Sequence, residues 1–259
     1  MLSLRYLVIS PHLDDGVFGC GQLLAAHPGS TVLTVFAGVP EAAPAPEWDR
    51  RCGFTSAQAA MAARREEDRR ALTQLAARPL WLSFLDSQYG RPPSRAALCD
   101  ALRGAMQALA PGAFAPQGRP PALAEDAAPL AVLVPMGLFH SDHELVHEAA
   151  LAVLKEPGAP PALAYEDALY RRKPGLLQRR LAALAAAGWC ATPATLGPLG
   201  APADKRRAVE TYASQLRAFG PGGWSDALEP ERYWQLTPPP ATPRSGARET
   251  ADDLALATP

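Results

Sequence analysis

Apolar positions in this chain fall into short unbroken runs that alternate with longer segments of helical periodicity. Leu4 to Ser10 (LRYLVIS) is a continuous run of β-branched, aromatic and aliphatic residues that stops at Pro11, which is how a strand buried on both faces reads. Ser30 to Ala37 (STVLTVFA), Leu80 to Leu85, Leu130 to Pro135 (LAVLVP) and Ala162 to Tyr170 read as further strands. Helices are expected over Val17–Ala26, Ser56–Ala76, Ser94–Leu109, Asp142–Leu154, Leu176–Ala187 and Ala203–Ala218. Ser56 is a candidate N-cap, and the run RREEDRR that follows it can pair its charges at i,i+3 and i,i+4 on a solvated face. Strands alternating with helices predict an α/β architecture with a mainly parallel sheet flanked by helices.

Residues 1–236 are expected to form one domain, since 259 residues suffice for a single large core. Pro111 to Ala128 is rich in Pro, Ala and Gly and reads as a surface loop. Residues 237–259 form a Pro-rich segment with the composition of a disordered tail. The net charge of −1 and the lack of a basic run argue against nucleic acid or an anionic membrane surface as partner. No apolar stretch approaches the ~20 residues of a membrane span, and the first ten residues lack the regions of a signal peptide, so a cytoplasmic location is expected. Cys20, Cys52, Cys99 and Cys190 form no Cys-x-x-Cys pair, so buried free thiols are expected and no cysteine metal site.

Chemistry concentrates in two places. His12-Leu13-Asp14-Asp15 follows the first strand, and His140-Ser141-Asp142-His143 follows the LAVLVP strand. In an open, Rossmann-like sheet, ligands bind beyond the carboxyl ends of the strands where strand order reverses, and these two loops are candidates to flank that point. Catalytic zinc takes three protein ligands, among them His nitrogen and Asp oxygen, and keeps one position open. His12, Asp15 and His143 can supply such a set, leaving Asp14 as a base for water and His140 to polarise a carbonyl or protonate an amine. The plainer reading makes Asp14, Asp15 and Asp142 helix-capping acids. Capping accounts for single acids but not for a His three residues before an Asp in one loop and two His flanking an Asp in the other.

Two other motifs compete. Gly16, Gly19 and Gly21 are spaced G-x-x-G-x-G rather than as a dinucleotide fingerprint, and Asp14 and Asp15 would repel a pyrophosphate; these glycines are expected to let a helix approach the sheet closely. His143-Glu144-Leu145-Val146-His147 is a literal H-E-x-x-H, with Glu166 as a conceivable third ligand of a metalloprotease. That alternative leaves His12, Asp14 and Asp15 without a role, and His147 is instead expected to pack a helix face against the sheet.

The pair of motifs, PHLDDG (Pro11 to Gly16) and HSDH (His140 to His143), resembles the PIG-L (LmbE-like) N-acetylglucosaminyl deacetylases. Weaker likenesses extend over Leu4 to Phe219: Arg65, Glu67 and Asp68; FLDSQY (Phe84 to Tyr89); YED (Tyr165 to Asp167); and Lys205 with Tyr212, Ser214 and Gln215. The resemblance implies a zinc site of His12, Asp15 and His143 (iron(II) suits the same ligands), Asp14 as general base, and His140 as charged electrophile and acid. Asp142 would orient a histidine. The implied reaction removes acetate from an N-acetylated sugar or related small-molecule amine. Arg51, Arg65 (or its neighbour Arg64), Asp86 and Tyr89 are candidate substrate contacts. Leu13 and Ser141 replace motif prolines that are not ligands, and Gly16 stands where the family often has Glu, which bears on sugar recognition. The alternatives are hydrolysis of another amide or ester, the H-E-x-x-H protease, and a non-catalytic binding module.

Overall fold

Seven segments of the chain pair into one sheet in the computed structural model, which describes residues 4–114 and 130–240. They are β1 (Arg5–Ser10), β2 (Thr31–Thr34), β3 (Arg78–Trp81), β4 (Leu130–Pro135), β5 (Ala162–Tyr165), β6 (Cys190–Ala194) and β7 (Tyr233–Thr237). The order is β3-β2-β1-β4-β5-β7-β6. The first five are mutually parallel, and β7 runs antiparallel to both β5 and β6. Order reverses between β1 and β4, as expected, so the loops carrying both His/Asp clusters leave adjacent strands.

Eight helices complete the described fold: α1 (Asp15–Ala26), α2 (Glu47–Arg51), α3 (Ala57–Gln74), α4 (Arg95–Leu109), α5 (Ser141–Leu154), α6 (Leu176–Ala186), α7 (Pro202–Glu210) and α8 (Ala213–Phe219). Side chains alternate across a strand, and β1 feeds two cores in this way. Tyr6 and Val8 join Val17 and Leu24 of α1, Leu72 of α3 and Val209 of α7. Leu7 and Ile9 join Leu102 of α4, Val146 of α5 and Leu184 of α6. Burial on both faces is what made β1 and β4 legible as unbroken apolar runs.

Several expectations shift. The third strand begins at Arg78 and ends at Trp81, because its register is set by the four residues of β2 rather than by the apolar run Leu80 to Leu85. The helix expected over Ala203–Ala218 is broken in two at Thr211 and Tyr212. Tyr212 is fully buried and donates to Asp68 at 2.8 Å, while Glu67 accepts from the Ser214 amide and hydroxyl at 2.9 and 2.6 Å and so caps α8. The run RREEDRR is correspondingly split: Glu66, Arg69 and Arg70 pair in solvent, whereas Arg64, Glu67 and Asp68 are buried. Ser56 caps α3 as expected, accepting from the Ala59 amide. Strands β6 and β7 and helix α2 were not foreseen. Cys20 and Cys52 are buried free thiols, but Cys99 is half-buried and Cys190 is exposed on β6. Most of the expected Pro111–Ala128 loop and of the C-terminal tail lies outside the described residues.

Candidate active site

The turn after β1 is fixed by two of its own side chains bonding its backbone. Ser10 donates its hydroxyl to the His12 carbonyl at 2.6 Å and accepts from the Gly16 amide at 2.8 Å; Asp15 accepts from the His12 amide at 2.9 Å. This closes the chain tightly enough to put His12, Asp14 and Asp15 on one rim. A Cβ on Gly16 would lie 2.9 Å from Val32, so this position faces the sheet, and a side chain here would not border the cavity. Gly19 and Gly21 are equally confined, by Tyr165 and Lys205. Asp14 stands at the N-cap of α1 but makes no side-chain cap hydrogen bond, and its carboxyl is buried.

The second loop is bent by Gly137 and by Phe139, whose φ of 68° places a bulky residue in the left-handed region. His140 then caps α5, its Nδ1 accepting from the Asp142 amide at 3.2 Å. The two loops meet across the switch point. Asp15 Oδ2 lies 3.2 Å from His12 Nδ1 and 3.2 Å from His143 Nε2. The far nitrogen of each imidazole rests on another carboxylate: His12 Nε2 on Asp142 at 3.0 Å, and His143 Nδ1 on Asp167 at 2.5 Å. Two three-residue groups bring ligand atoms close enough to share a cation, His12–Asp15–His143 and His12–His140–Asp142.

The electrostatics follow from crowding of acids. Asp14 is pushed well above the usual carboxylate range by burial and by Asp15 beside it. Asp15 is held below that range despite its burial, because His143 and His12 face it. Burial opposes a charge on His12 and His143, but hydrogen bonds and charge from Asp142, Asp15 and Asp167 prevail; His12 is raised and His143 reaches about 9. His140 moves the other way, lowered by burial and then by the two neighbouring imidazoles. With Nδ1 accepting from a backbone amide, neutral His140 carries its proton on Nε2.

These groups open into a cavity of about 390 Å³ lined also by Arg64, Asp86, Ser87, Gln88, Gln215 and the aromatic side chains Phe18, Trp48, Tyr170 and Phe219. Among the sequence candidates for substrate contact, Asp86 lines it and lies 3.9 Å from His12. Arg64, the alternative to Arg65, lines it too, whereas Tyr89, Arg65 and Arg51 do not. Tyr89 donates to Asp49 at 2.7 Å, and that buried carboxylate pairs with Arg64 at 2.7 Å. Arg65 donates to the Ala37 carbonyl and lies over Trp81; Arg51 donates to the Ala218 carbonyl and lies over Trp48.

The H-E-x-x-H histidines do not converge. His147 bonds the Pro135 carbonyl through Nδ1 at 2.8 Å and borders a different depression beside Arg180. Glu144 is half-exposed beside Arg180, and Glu166 accepts from Trp234 and pairs with Arg232. The protease alternative therefore has no assembled site. Sequence reading gave Asp167 no role of its own, although an acid two residues past the end of a parallel strand is a recognisable signal. The aromatic side of the cavity carried no such signal, since it is assembled from α1, α2 and α8.

A family model described as PIG-L, GlcNAc-PI de-N-acetylase, matches residues 7–154. The chain belongs to this family. A PIG-L relative, 2'-N-acetylparomamine deacetylase of Streptomyces fradiae, is 35% identical over 179 residues, 64% of this chain. The matched stretch spans 57% of that relative's length. Among solved structures, the zinc-inhibited form of teicoplanin deacetylase Orf2 superposes with a TM-score of 0.69 at 23% identity, over 92% of this chain and 100% of that one. The A40926 pseudoaglycone deacetylase Dbv21 superposes at 0.62 with 26% identity, over 90% and 97%. The seven-stranded, mostly parallel sheet is thus the sheet of PIG-L deacetylases. No described helix is long and apolar enough to cross a membrane.

Proposed function

We propose that this protein is a zinc-dependent N-deacetylase that hydrolyses the acetamide of an N-acetylated sugar or related small-molecule amine. The observation that carries the reading is the paired arrangement around Asp15: two imidazoles face one carboxylate, and each is backed by a further buried carboxylate. Metal-ligating histidines characteristically hand their second nitrogen to such a partner, which fixes the tautomer and raises ligand basicity. Family membership and the deacetylases among its relatives supply independent support.

His12, Asp15 and His143 would hold the ion. Of the two candidate groups, this one leaves Asp142 free to orient His12, whereas the other would consume it. Two nitrogens and one carboxylate suit Zn²⁺ or Fe²⁺. When bound, the ion supplies a Lewis acid that polarises the amide carbonyl and acidifies water. Asp14, with its carboxyl raised by burial, accepts the proton of the attacking water. Neutral His140 donates its Nε2–H to the oxygen that gains negative charge as the carbonyl carbon becomes tetrahedral. Asp14, now protonated, returns that proton to the amine nitrogen as the C–N bond breaks, giving acetic acid and the free amine, which end as acetate and ammonium when the acid's proton passes to the amine. The proton transfer to nitrogen thus rests on Asp14, and His140 acts as a neutral donor rather than as the imidazolium expected from the family likeness.

Asp14→Asn tests the assignment. The variant is expected to keep its zinc, measured by plasma mass spectrometry, and to lose at least ~10²-fold in acetate release from N-acetylated amino sugars. Retained turnover would remove Asp14 from the reaction, and joint loss of metal and turnover would make it a ligand.

A further inference from the structure

A second cavity, of about 440 Å³, lies outside the active site between α5 and α6. Apolar residues form much of it: Leu151 and Ala152 on α5, Ala183 and Ala187 at the end of α6, and Trp189 just beyond. Ala183 and Ala187 are exposed, and α6 carries no charge after Arg180. Three cations border these residues, Arg95, Lys155 and Arg180, against one acid, Glu148. Arg180 lies 3.6 Å from Glu144, whereas among the described residues neither Arg95 nor Lys155 is paired with a carboxylate; Arg95 donates to the Glu148 carbonyl at 3.3 Å. The complementary occupant carries acids beside apolar side chains.

The chain itself contains such a segment. Strand β7 ends at Thr237, and Pro239 then packs on Gly188, where an added Cβ would lie 3.1 Å from it. Gly188 sits between Ala187 and Trp189, so the described chain leaves beside the cavity. Prolines fall at 238–240 and 243, after which the composition changes: residues 249–256 read ETADDLAL, with Glu249, Asp252 and Asp253 close to Leu254 and Leu256. The stretch from Pro239 to Glu249 spans up to about 33 Å when extended. The 14 residues of α5 are only about 21 Å long, so the whole cavity is within reach.

We infer that Glu249–Leu256 docks on the α5–α6 cavity of its own chain. Glu249, Asp252 and Asp253 meet the cations Arg95, Lys155 and Arg180, and Leu254 and Leu256 cover Ala183 and Ala187. Arg180 also donates to the Gly137 carbonyl at 2.5 Å, so the docked segment lies against a side chain that holds the loop carrying His140.

Lysine placement makes this testable. The lysines are Lys155, Lys173 and Lys205; Lys205 is buried on Glu231, and Lys173 stands over Phe139. Dilute full-length protein is treated with a carbodiimide, which joins an amine directly to a carboxylate with loss of water, and digests are read by mass spectrometry. Lys155 is expected to join Glu249, Asp252 or Asp253 in at least about fivefold higher yield than Lys173 does. Mixed unlabelled and isotope-labelled protein should give these adducts within single chains. Leu254→Ser with Leu256→Ser, which leaves every acid and lysine in place, should lower the Lys155 yield about fivefold or more. Hydrogen exchange of α6 is a readout independent of the reagent, and should be slower in wild type than in the double-serine variant. Adducts between chains would give the cavity to a second copy and overturn the inference. Equal yields at Lys155 and Lys173, or a yield that the double-serine variant leaves unchanged, would overturn it as well. So would the absence of adducts together with identical α6 exchange in the two proteins.

Discussion

His143 and His147 lie one turn apart on α5, inside one five-residue motif, and their surroundings give them opposite chemistry. Both are 1% exposed. His143 faces Asp15 at 3.2 Å and Asp167 at 2.5 Å and is raised to about 9. His147 has one partner, the Pro135 carbonyl; its Nε2 is buried without a hydrogen bond, and burial and then Arg180 lower it to about 4. Burial costs each imidazolium a similar penalty, and only the acids beside His143 repay it. A short motif therefore names residues that can be ligands, and the loops that converge on them decide which one faces a carboxylate.

The hardest test of this contrast is removal of each ring. His143→Ala is expected to lose stoichiometric zinc and to reduce acetate release by more than about 100-fold, since even loss of a ligand's orienting partner costs 10- to 100-fold. His147→Ala should retain metal and turnover within a few-fold. Metal analysis and acetate assays on the two variants decide it. The reverse pattern would restore the H-E-x-x-H alternative.

The contrast also has a pH signature. Unfolded His147 titrates near 6.5, and the folded group near 4, so above pH 6.5 both states are neutral and His147 contributes no pH dependence. As pH falls through 6.5 the unfolded chain takes up a proton that the folded one refuses, and stability declines until about pH 4. The interval corresponds to ~3 kcal/mol. The charged groups bordering its pocket are Arg95, Glu148, Lys155 and Arg180, and none supplies a carboxylate bond to the ring. His147→Gln should therefore lose less stability than wild type between pH 7 and pH 4.5 in urea titrations. Parallel curves for the two proteins would show that the ring is protonated at little cost.

How legible this was depends on whether a feature is local. The strands LRYLVIS and LAVLVP, the caps Ser56 and Ser94, and the switch point between β1 and β4 follow from runs, spacing and alternation. The two His/Asp clusters were legible because each is contiguous in sequence and closes an identifiable strand. Strands β6 and β7 escaped because CATPA and YWQLT pair only with each other and with β5, a contact that spans dozens of residues. Arg51, Arg65 and Tyr89 carried the right chemistry, but their side chains turn to Ala218, Ala37 and Asp49. Nothing in local sequence reports that turn. Gly16 is instructive in the same way: its departure from the family pattern looks like a change in recognition, yet its missing side chain would meet Val32.

The smallest expected effect concerns what holds His143 in place. Asp167, two residues beyond the end of β5, accepts from the Leu138 amide at 3.1 Å and bonds His143 Nδ1, so one carboxylate ties the second loop to the ring it presents. Asp167→Asn keeps an oxygen for the imidazole but removes the charge and puts an amide donor against Leu138. Zinc affinity, read by competition with a chromogenic chelator, should fall about 10- to 100-fold, less than on loss of His143 itself. Asp142→Asn, acting on His12 through the equivalent contact, should fall in the same range. If both variants bind zinc as wild type does, the carboxylates are spectators and His143 differs from His147 only in facing Asp15. If Asp167→Asn alone is affected, the ring on α5 is the one whose orientation depends on a second element of the fold.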